Sequence, residues 1–216
     1  MKTLHRLLAT IIAIVAMAFT ATSAQAQANA SLGFPFPDRV SQSPAEQDKR
    51  LEHLPGNLSQ GVKTLRDEDY RTNVSQWSEK DRGDGLSDGQ LSLDGDAGYP
   101  YTDGGFSNCN HIDYYTLNYK RVVKGKMPSV KPVDKDDVEQ VLGYLFRPIA
   151  KELRPLLENG YQVTRVRVPG AFNTSTEMTL VKVTEVGISG NKKYVVESLN
   201  LSQAVYDHCS MRRDPD

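Results

Sequence analysis

Residues 134–157 read DKDDVEQVLGYLFRPIAKELRPLL, and this stretch decides the fold class. Its apolar residues recur at the three- and four-residue spacing of an amphipathic helix. Asp134 is a suitable N-cap, and the acidic residues that follow it suit the first turn of a helix. Pro148 and Pro155 interrupt the run without changing its phase. We therefore predict a kinked helix with one buried face.

Strand-like sequence flanks this helix on both sides. Residues 111–123 alternate between apolar and polar before it, and three further candidate strands follow it, with Gly or Pro at the turns between them. These strands are predicted at residues 161–168, 176–188 and 193–199. The order is β-α-β-β-β. We predict an α+β domain in which an antiparallel sheet of about four strands carries the helix on one face.

The chain ahead of this domain is polar. Between residues 27 and 105 large apolar side chains are sparse, and Gly, Asp, Ser, Gln and Pro dominate. We expect a largely irregular N-terminal region with one short helix near residues 44–54, which Ser43 can cap. The α+β domain is predicted to span residues 106–210, and residues 211–216 form a C-terminal tail.

The first 26 residues are typical of a secretory signal peptide. Lys2 and Arg6 precede an apolar run that is too short to span a bilayer, and Ala24-Gln25-Ala26 matches the usual cleavage pattern. No second long apolar run follows in the sequence. We expect a soluble exported protein, periplasmic or secreted, with no membrane span in the mature chain.

Cys109 and Cys209 are the only two cysteines, and they bracket the patterned region. In an exported chain, two cysteines predict one disulfide that closes this domain. The alternative is that Cys109 is a nucleophile assisted by His111. An oxidising compartment disfavours a free thiol, so we predict the disulfide.

Charge is divided unevenly along the chain. Residues 27–110 carry 8 basic and 14 acidic side chains, and residues 111–216 carry 16 and 13. Neither balance is basic enough to indicate a nucleic-acid-binding protein. The opposite signs allow the N-terminal region to lie against the C-terminal domain, although two separate solvated surfaces explain them as well.

A candidate basic surface lies on the predicted sheet. Arg165 and Arg167 alternate with valines, so a strand there places both arginines on the face away from the helix. The candidate partner-binding residues are Arg165, Arg167, Lys182, Lys192 and Lys193. Such a surface suits an acidic protein partner, or it serves only for solubility and to discourage strand pairing.

Several aspartates crowd the Gly-rich stretch 81–105, and carboxylates on a flexible loop are ligands that calcium prefers. The candidate ligands are Asp84, Asp88, Asp94 and Asp96. Counted from Asp84, positions 3 and 12 of an EF-hand loop are Leu86 and Gly95, which cannot provide the required carboxylates. A solvated acidic loop is the competing interpretation, and the sequence indicates no cofactor other than calcium.

No local catalytic motif is present in the sequence. We expect a non-enzymatic binding protein of the inhibitor, immunity or envelope-assembly type. The alternative is a small secreted hydrolase whose catalytic residues come from separated positions, for example His111 or His208 with an aspartate from residues 81–103. A deep polar cleft joining those side chains would favour the hydrolase, and a flat, uncovered basic sheet face would favour the binding protein.

Overall fold

The computed structural model describes residues 42–101, 106–170, 175–187 and 192–211. These residues form four helices and seven strands. In chain order they are α1 (Pro44–Leu51), α2 (Leu58–Asp67), β1 (Arg71–Val74), β2 (Ser78–Asp81), β3 (Ser87–Tyr101), β4 (Phe106–Lys124), α3 (Lys135–Tyr144), α4 (Arg147–Glu158), β5 (Gln162–Arg167), β6 (Ser175–Val186) and β7 (Lys193–Met211). The predicted signal peptide and residues 212–216 of the predicted tail lie outside the described residues.

The seven strands form one sheet in the order β1-β3-β4-β7-β6-β5, and β2 pairs with β3 beside β1. Every described pair of strands is antiparallel. The two longest strands, β4 and β7, pair along their length at the centre of the sheet. The predicted α+β class and antiparallel sheet are confirmed, but the sheet is larger than the four strands expected.

The helices cover one face of the sheet. Leu117, Leu180 and Leu199 of the sheet are buried in a single core with Leu58 and Leu153 of the helices. Full burial of one such leucine contributes about 1.5–3 kcal/mol to stability. Because side chains alternate along a strand, the residues next to these sheet leucines lie on the opposite face, which we call the open face.

The predicted kinked helix is two helices, α3 and α4. They are separated at Leu145, whose backbone is extended (φ −75°, ψ 151°). Pro148 has no N–H to donate to the carbonyl of Tyr144, which weakens the helix here, and it lies in the first turn of α4, where a proline is tolerated. The buried amide of Gln203 in β7 fills the break. It accepts a hydrogen bond from the N–H of Phe146 at 2.6 Å and donates to the carbonyl of Tyr144.

The region expected to be largely irregular contributes to both the helix layer and the sheet. Helix α2 buries Leu58, Val62 and Leu65, which follow helical spacing within a polar sequence. Gly61 of α2 is also buried, and a Cβ atom there would lie 2.8 Å from the carbonyl oxygen of Pro148 in α4. The glycine that weakens the helical pattern in the sequence is therefore what allows the two helices to approach.

Strand β3 also falls within the region expected to be irregular. Leu91 and Leu93 are its buried aliphatic side chains, and polar residues alternate with them. At the flanking buried positions, Gly89 and Gly95, aromatic rings from other strands and loops occupy the space above the backbone. Rings from outside the strand, Trp77 and Tyr115, therefore provide part of its apolar packing. Its own sequence contains few apolar residues, and for that reason it does not read as a strand.

Side chains of α1 and of Gln42, which precedes its N-cap, form hydrogen bonds with backbone groups at the outer edge of β1. Gln42 accepts a hydrogen bond from the N–H of Val74 at 3.0 Å and donates to its carbonyl at 2.9 Å. Arg50 donates to the same carbonyl at 2.6 Å, and Gln47 donates to the carbonyl of Thr72 at 2.7 Å. No strand of the described residues covers this edge, and its backbone groups at Thr72 and Val74 are paired with side chains instead.

Substitution of Gly95 by Ala is expected to lower the free energy of unfolding by about 1–3 kcal/mol. The added Cβ would lie 2.2 Å from the ring of Tyr115, which is 3% exposed and faces Gly95 on β4. The Tyr115 hydroxyl lies 3.1 Å from that of Thr72, which restricts its displacement. Urea denaturation measures the change.

Gly143→Ala is the matched control for this prediction. Gly143 lies in α3, and a Cβ there meets nothing within 4 Å, so this variant should be as stable as the wild type or more stable. In a Tyr115→Leu background, Gly95→Ala should cost much less than it does alone. Equal costs in both backgrounds would show that the ring is not the cause.

Candidate functional site

The open face carries rows of short polar side chains across the centre of the sheet. One row runs Ser92–Asn118–Asn200–Thr179–Arg165 across β3, β4, β7, β6 and β5. The uncharged residues of this row lie beside three further hydroxyl side chains on β4 and β7. We call these seven residues the polar band: Ser92, Thr116, Asn118, Thr179, Ser198, Asn200 and Ser202. Asn118 and Asn200 are exposed, and the hydroxyl of Thr179 donates to the side-chain oxygen of Asn200 at 3.0 Å.

Arg165 and Arg167 lie on the open face at the edge strand β5, as the alternation of that strand predicts. Glu177 of β6 lies between them, 2.9 Å from Arg167 and 3.7 Å from Arg165. The Arg165 side chain is 65% exposed, and among the described residues this ion pair is its only polar side-chain contact. Two guanidinium groups thus share one carboxylate, which leaves a net positive charge and unused donors at this edge.

The three lysines predicted to belong to the basic surface do not lie beside Arg165 and Arg167. Lys182 lies on the helix side of the sheet, where its ammonium is 5.6 Å from the ring centroid of Tyr161. Lys192 forms an ion pair with Glu185 at 2.9 Å, near the turn between β6 and β7. Lys193 forms an ion pair with a carboxylate of the loop before β3. The predicted five-residue basic surface is therefore reduced to its two arginines.

The four candidate calcium ligands are distributed along β3 and the loop before it. Asp84 contacts Lys193, and this ammonium lowers the pKa of the Asp84 carboxyl. Asp88 accepts the backbone N–H of Val123 at 2.8 Å, which lowers its pKa. Asp94 contacts Asn73, and Asp96 forms an ion pair with Arg71. The described residues contain no group of three or more acidic, His or Cys side chains placed to hold a metal ion.

Cys109 and Cys209 are directly opposite each other in the pairing of β4 with β7. In an antiparallel pair, Cα atoms of opposite residues are about 4.5 or 5.5 Å apart, and both values lie in the range that a disulfide spans. The backbone register therefore supports the predicted disulfide. Cys109 is also fully buried.

His111 lies two residues from Cys109, and carboxylates contact both of its ring nitrogens. Nδ1 is 2.7 Å from Asp207 and Nε2 is 3.2 Å from Asp113, which also accepts a hydrogen bond from the hydroxyl of Tyr70. A catalytic histidine needs one ring nitrogen free to take a proton from a nucleophile or water. In this structure both ring nitrogens of His111 contact a carboxylate, which orients the ring.

A shallow depression lies on the open face where β2, β3 and β4 meet. Its volume is about 290 Å³, close to the lower limit for a small-molecule site. Lys80, Gln90 and Lys120 line it, together with Ser78 and Asp88. Gln90 and Lys120 form the row next to the polar band, so the depression is continuous with that band.

Comparison of the chain with protein-family models, curated proteins and solved structures finds no significant match. In the described part of the chain no helix is long and apolar enough to cross a membrane. The case for a function therefore depends on the open face itself.

Sequence reasoning identified Arg165 and Arg167 but missed the polar band and the two lysines of the depression. The signal was present in β7, where Ser198, Asn200 and Ser202 alternate with buried leucines. The same alternation surrounds Asn118 in β4. These residues become one surface only through the pairing of β4 with β7, which brings together positions about 80 residues apart in the chain.

Proposed function

We propose that the protein is an exported, non-enzymatic binding protein that holds an acidic partner on the open face of its sheet. The observation that carries this proposal is the exposed row from Ser92 to Arg165, five strands wide, on the face opposite the helices. The two arginines at one end share a single carboxylate, so an acidic partner can accept hydrogen bonds from donors that the protein leaves unused.

The alternative, a secreted hydrolase, has less support from the geometry. One arrangement for it would pair His111 or His208 with an aspartate from residues 81–103. The carboxylates that contact His111 are instead Asp113 and Asp207, and they occupy both ring nitrogens. The side chain of His208 lies outside the described residues. The depression on the open face has a volume of only about 290 Å³, which is small for a catalytic cleft and favours binding over catalysis.

Amine labelling in the native compartment tests the proposed function. Lys80 and Lys120 of the open face should react several-fold more slowly there than in the purified protein. Lys135 and Lys151, which are exposed on helices, should react equally in both. Mass spectrometry of the labelled peptides gives the four rates. Equal rates for open-face and helix lysines in both settings would contradict a partner on the open face.

An Arg165→Gln, Arg167→Gln variant extends this test. Gln is preferred to Glu because two new carboxylates beside Glu177 would add like-charge repulsion to the sheet. Both arginines are substantially exposed, so the thermal midpoint should change little. The protection of Lys120 should decrease, and in the wild type it should decrease with added salt. Unchanged protection in the folded variant would exclude the arginines from the binding surface.

A further inference from the structure

We propose that the ligand of the open face is an acidic polysaccharide, a sugar polymer that carries carboxylates. This inference rests on the proposed function, because it identifies the class of partner held at the same surface. It is carried by two features together: the uncharged composition of the polar band and the cationic side chains at its two ends.

The polar band matches the hydrogen-bonding character of a sugar. Its seven side chains are hydroxyls or amides, and each can both donate and accept a hydrogen bond, as a sugar hydroxyl does. They are also short, so the surface is flat and little side-chain entropy is lost when a ligand orders them. A face selected only for solubility would instead carry the long charged side chains usual on protein surfaces.

Cationic groups stand at both ends of the polar band. Lys80 and Lys120 lie at the depression, and Arg165 and Arg167 lie on β5. Lys120 on β4 and Arg165 on β5 are separated by three strand spacings, roughly 14 Å. Carboxylates at intervals along a polymer can therefore contact both ends while the hydroxyls between them contact Asn118 and Asn200. The depression has room for a pendant group of such a polymer.

The composition of the polar band argues against a protein as the partner. The centres of protein–protein interfaces are enriched in aromatic residues, Met and Arg, and are depleted of Ser and Lys. The energetically dominant residues of such interfaces are Trp, Tyr and Arg in desolvated pockets. The polar band itself contains no aromatic or aliphatic side chain, and the charged residues that line the neighbouring depression are Lys80, Lys120, Asp88 and Arg121. The aliphatic side chains of the open face lie beside the polar band and not in it: Val181 is opposite Ser198, and Val122, Val196 and Val183 form the next row. An acidic protein would therefore find its apolar contacts beside the polar band, whereas a sugar would contact the polar band itself.

Polygalacturonate binding to the purified protein, measured by titration calorimetry, tests the inference. We expect Asn118→Ala with Asn200→Ala to weaken binding about 30-fold, which corresponds to the loss of about 2 kcal/mol of hydrogen bonding from the two side chains together. Lys120→Ala with Arg165→Ala should weaken it by at least as much and reduce its salt dependence. Gln140→Ala and Lys151→Ala, at exposed helix positions, are the matched controls and should bind as the wild type does. Thermal unfolding confirms that each variant is folded.

Two further polymers separate this inference from simple charge attraction. Poly-L-glutamate carries carboxylates without sugar hydroxyls, and dextran carries hydroxyls without charge, so both should bind at least about 10-fold more weakly than polygalacturonate. Equal binding of poly-L-glutamate, with no effect of the asparagine substitutions, would overturn the polysaccharide and favour an acidic protein. Absence of polygalacturonate binding would also overturn it. In either case the lysine protection measured in the native compartment decides separately whether the open face binds a partner.

Discussion

A fragment of residues 106–211 is expected to show no cooperative unfolding transition, even with its cysteines oxidised. The sequence alone favours this fragment as an independent domain, but the structure divides the core across its boundary. Eight side chains of the single core come from residues 42–101: Leu51, Leu54, Leu58, Val62, Leu65, Val74, Leu91 and Leu93. Their burial amounts to more than about 10 kcal/mol, which is comparable to the whole stability of a typical domain.

The fragment also loses the partner strand of β4. Strand β3 pairs with β4 from Gly89 opposite Arg121 to Tyr101 opposite Cys109, so its removal exposes a long edge of backbone N–H and C=O groups. Residues 42–216 retain the described core and are the control, which should unfold cooperatively. Circular dichroism during heating and in urea compares the two. A cooperative transition of similar midpoint in both would show that the 106–210 boundary is a domain boundary after all.

Loss of the predicted Cys109–Cys209 disulfide is expected to lower the free energy of unfolding by up to ~4–5 kcal/mol, because the bond closes a loop of about 100 residues in the unfolded chain. The two residues are opposite each other in the register of β4 and β7, so no rearrangement of the backbone is needed to join them. Thiol counting under denaturing, non-reducing conditions should find no free thiol in protein from its native compartment.

The stabilising effect of the disulfide is measured by reduction. A reductant should lower the thermal midpoint of the wild type and leave unchanged that of Cys109→Ala with Cys209→Ala. Alanine is preferred to serine because Cys109 is fully buried, and a buried hydroxyl without a partner would add its own cost. Two free thiols in the isolated native protein, or an equal effect of the reductant on both proteins, would exclude the bond.

The sequence was sufficient to predict those elements that carry their own apolar pattern. The helical spacing of residues 138–157 and the alternation around Val166 and Val168 led to the α+β class and to the outward position of Arg165 and Arg167. The break between α3 and α4 depends on a contact that no local pattern contains, since Gln203 comes from the last strand. Strand β3 depends on the aromatic rings that lie over Gly89 and Gly95.

The candidate site was predictable only in part, because most of its residues come together through the pairing of strands that are distant in the sequence. Arg165 and Arg167 are two residues apart, so local alternation places them on the same face. The polar band is assembled from four strands, and its members look like unremarkable surface residues in each strand separately. Lys182 shows the converse error, because its charge suggested the arginine face, whereas the register of β6 against β5 places it over Tyr161.

The pairing of β1 with the side chains of α1 and Gln42 has a consequence at high protein concentration. An uncovered edge strand is a template on which a strand of another molecule can add, and repeated addition leads to aggregates and fibrils. The carbonyl of Thr72 and both the N–H and the carbonyl of Val74, which such a strand would use, are already bonded to Gln42, Gln47 and Arg50. Growth of a polymer through this edge therefore requires Gln42 and α1 to detach first, so three side chains from residues 42–50 protect the molecule against self-assembly.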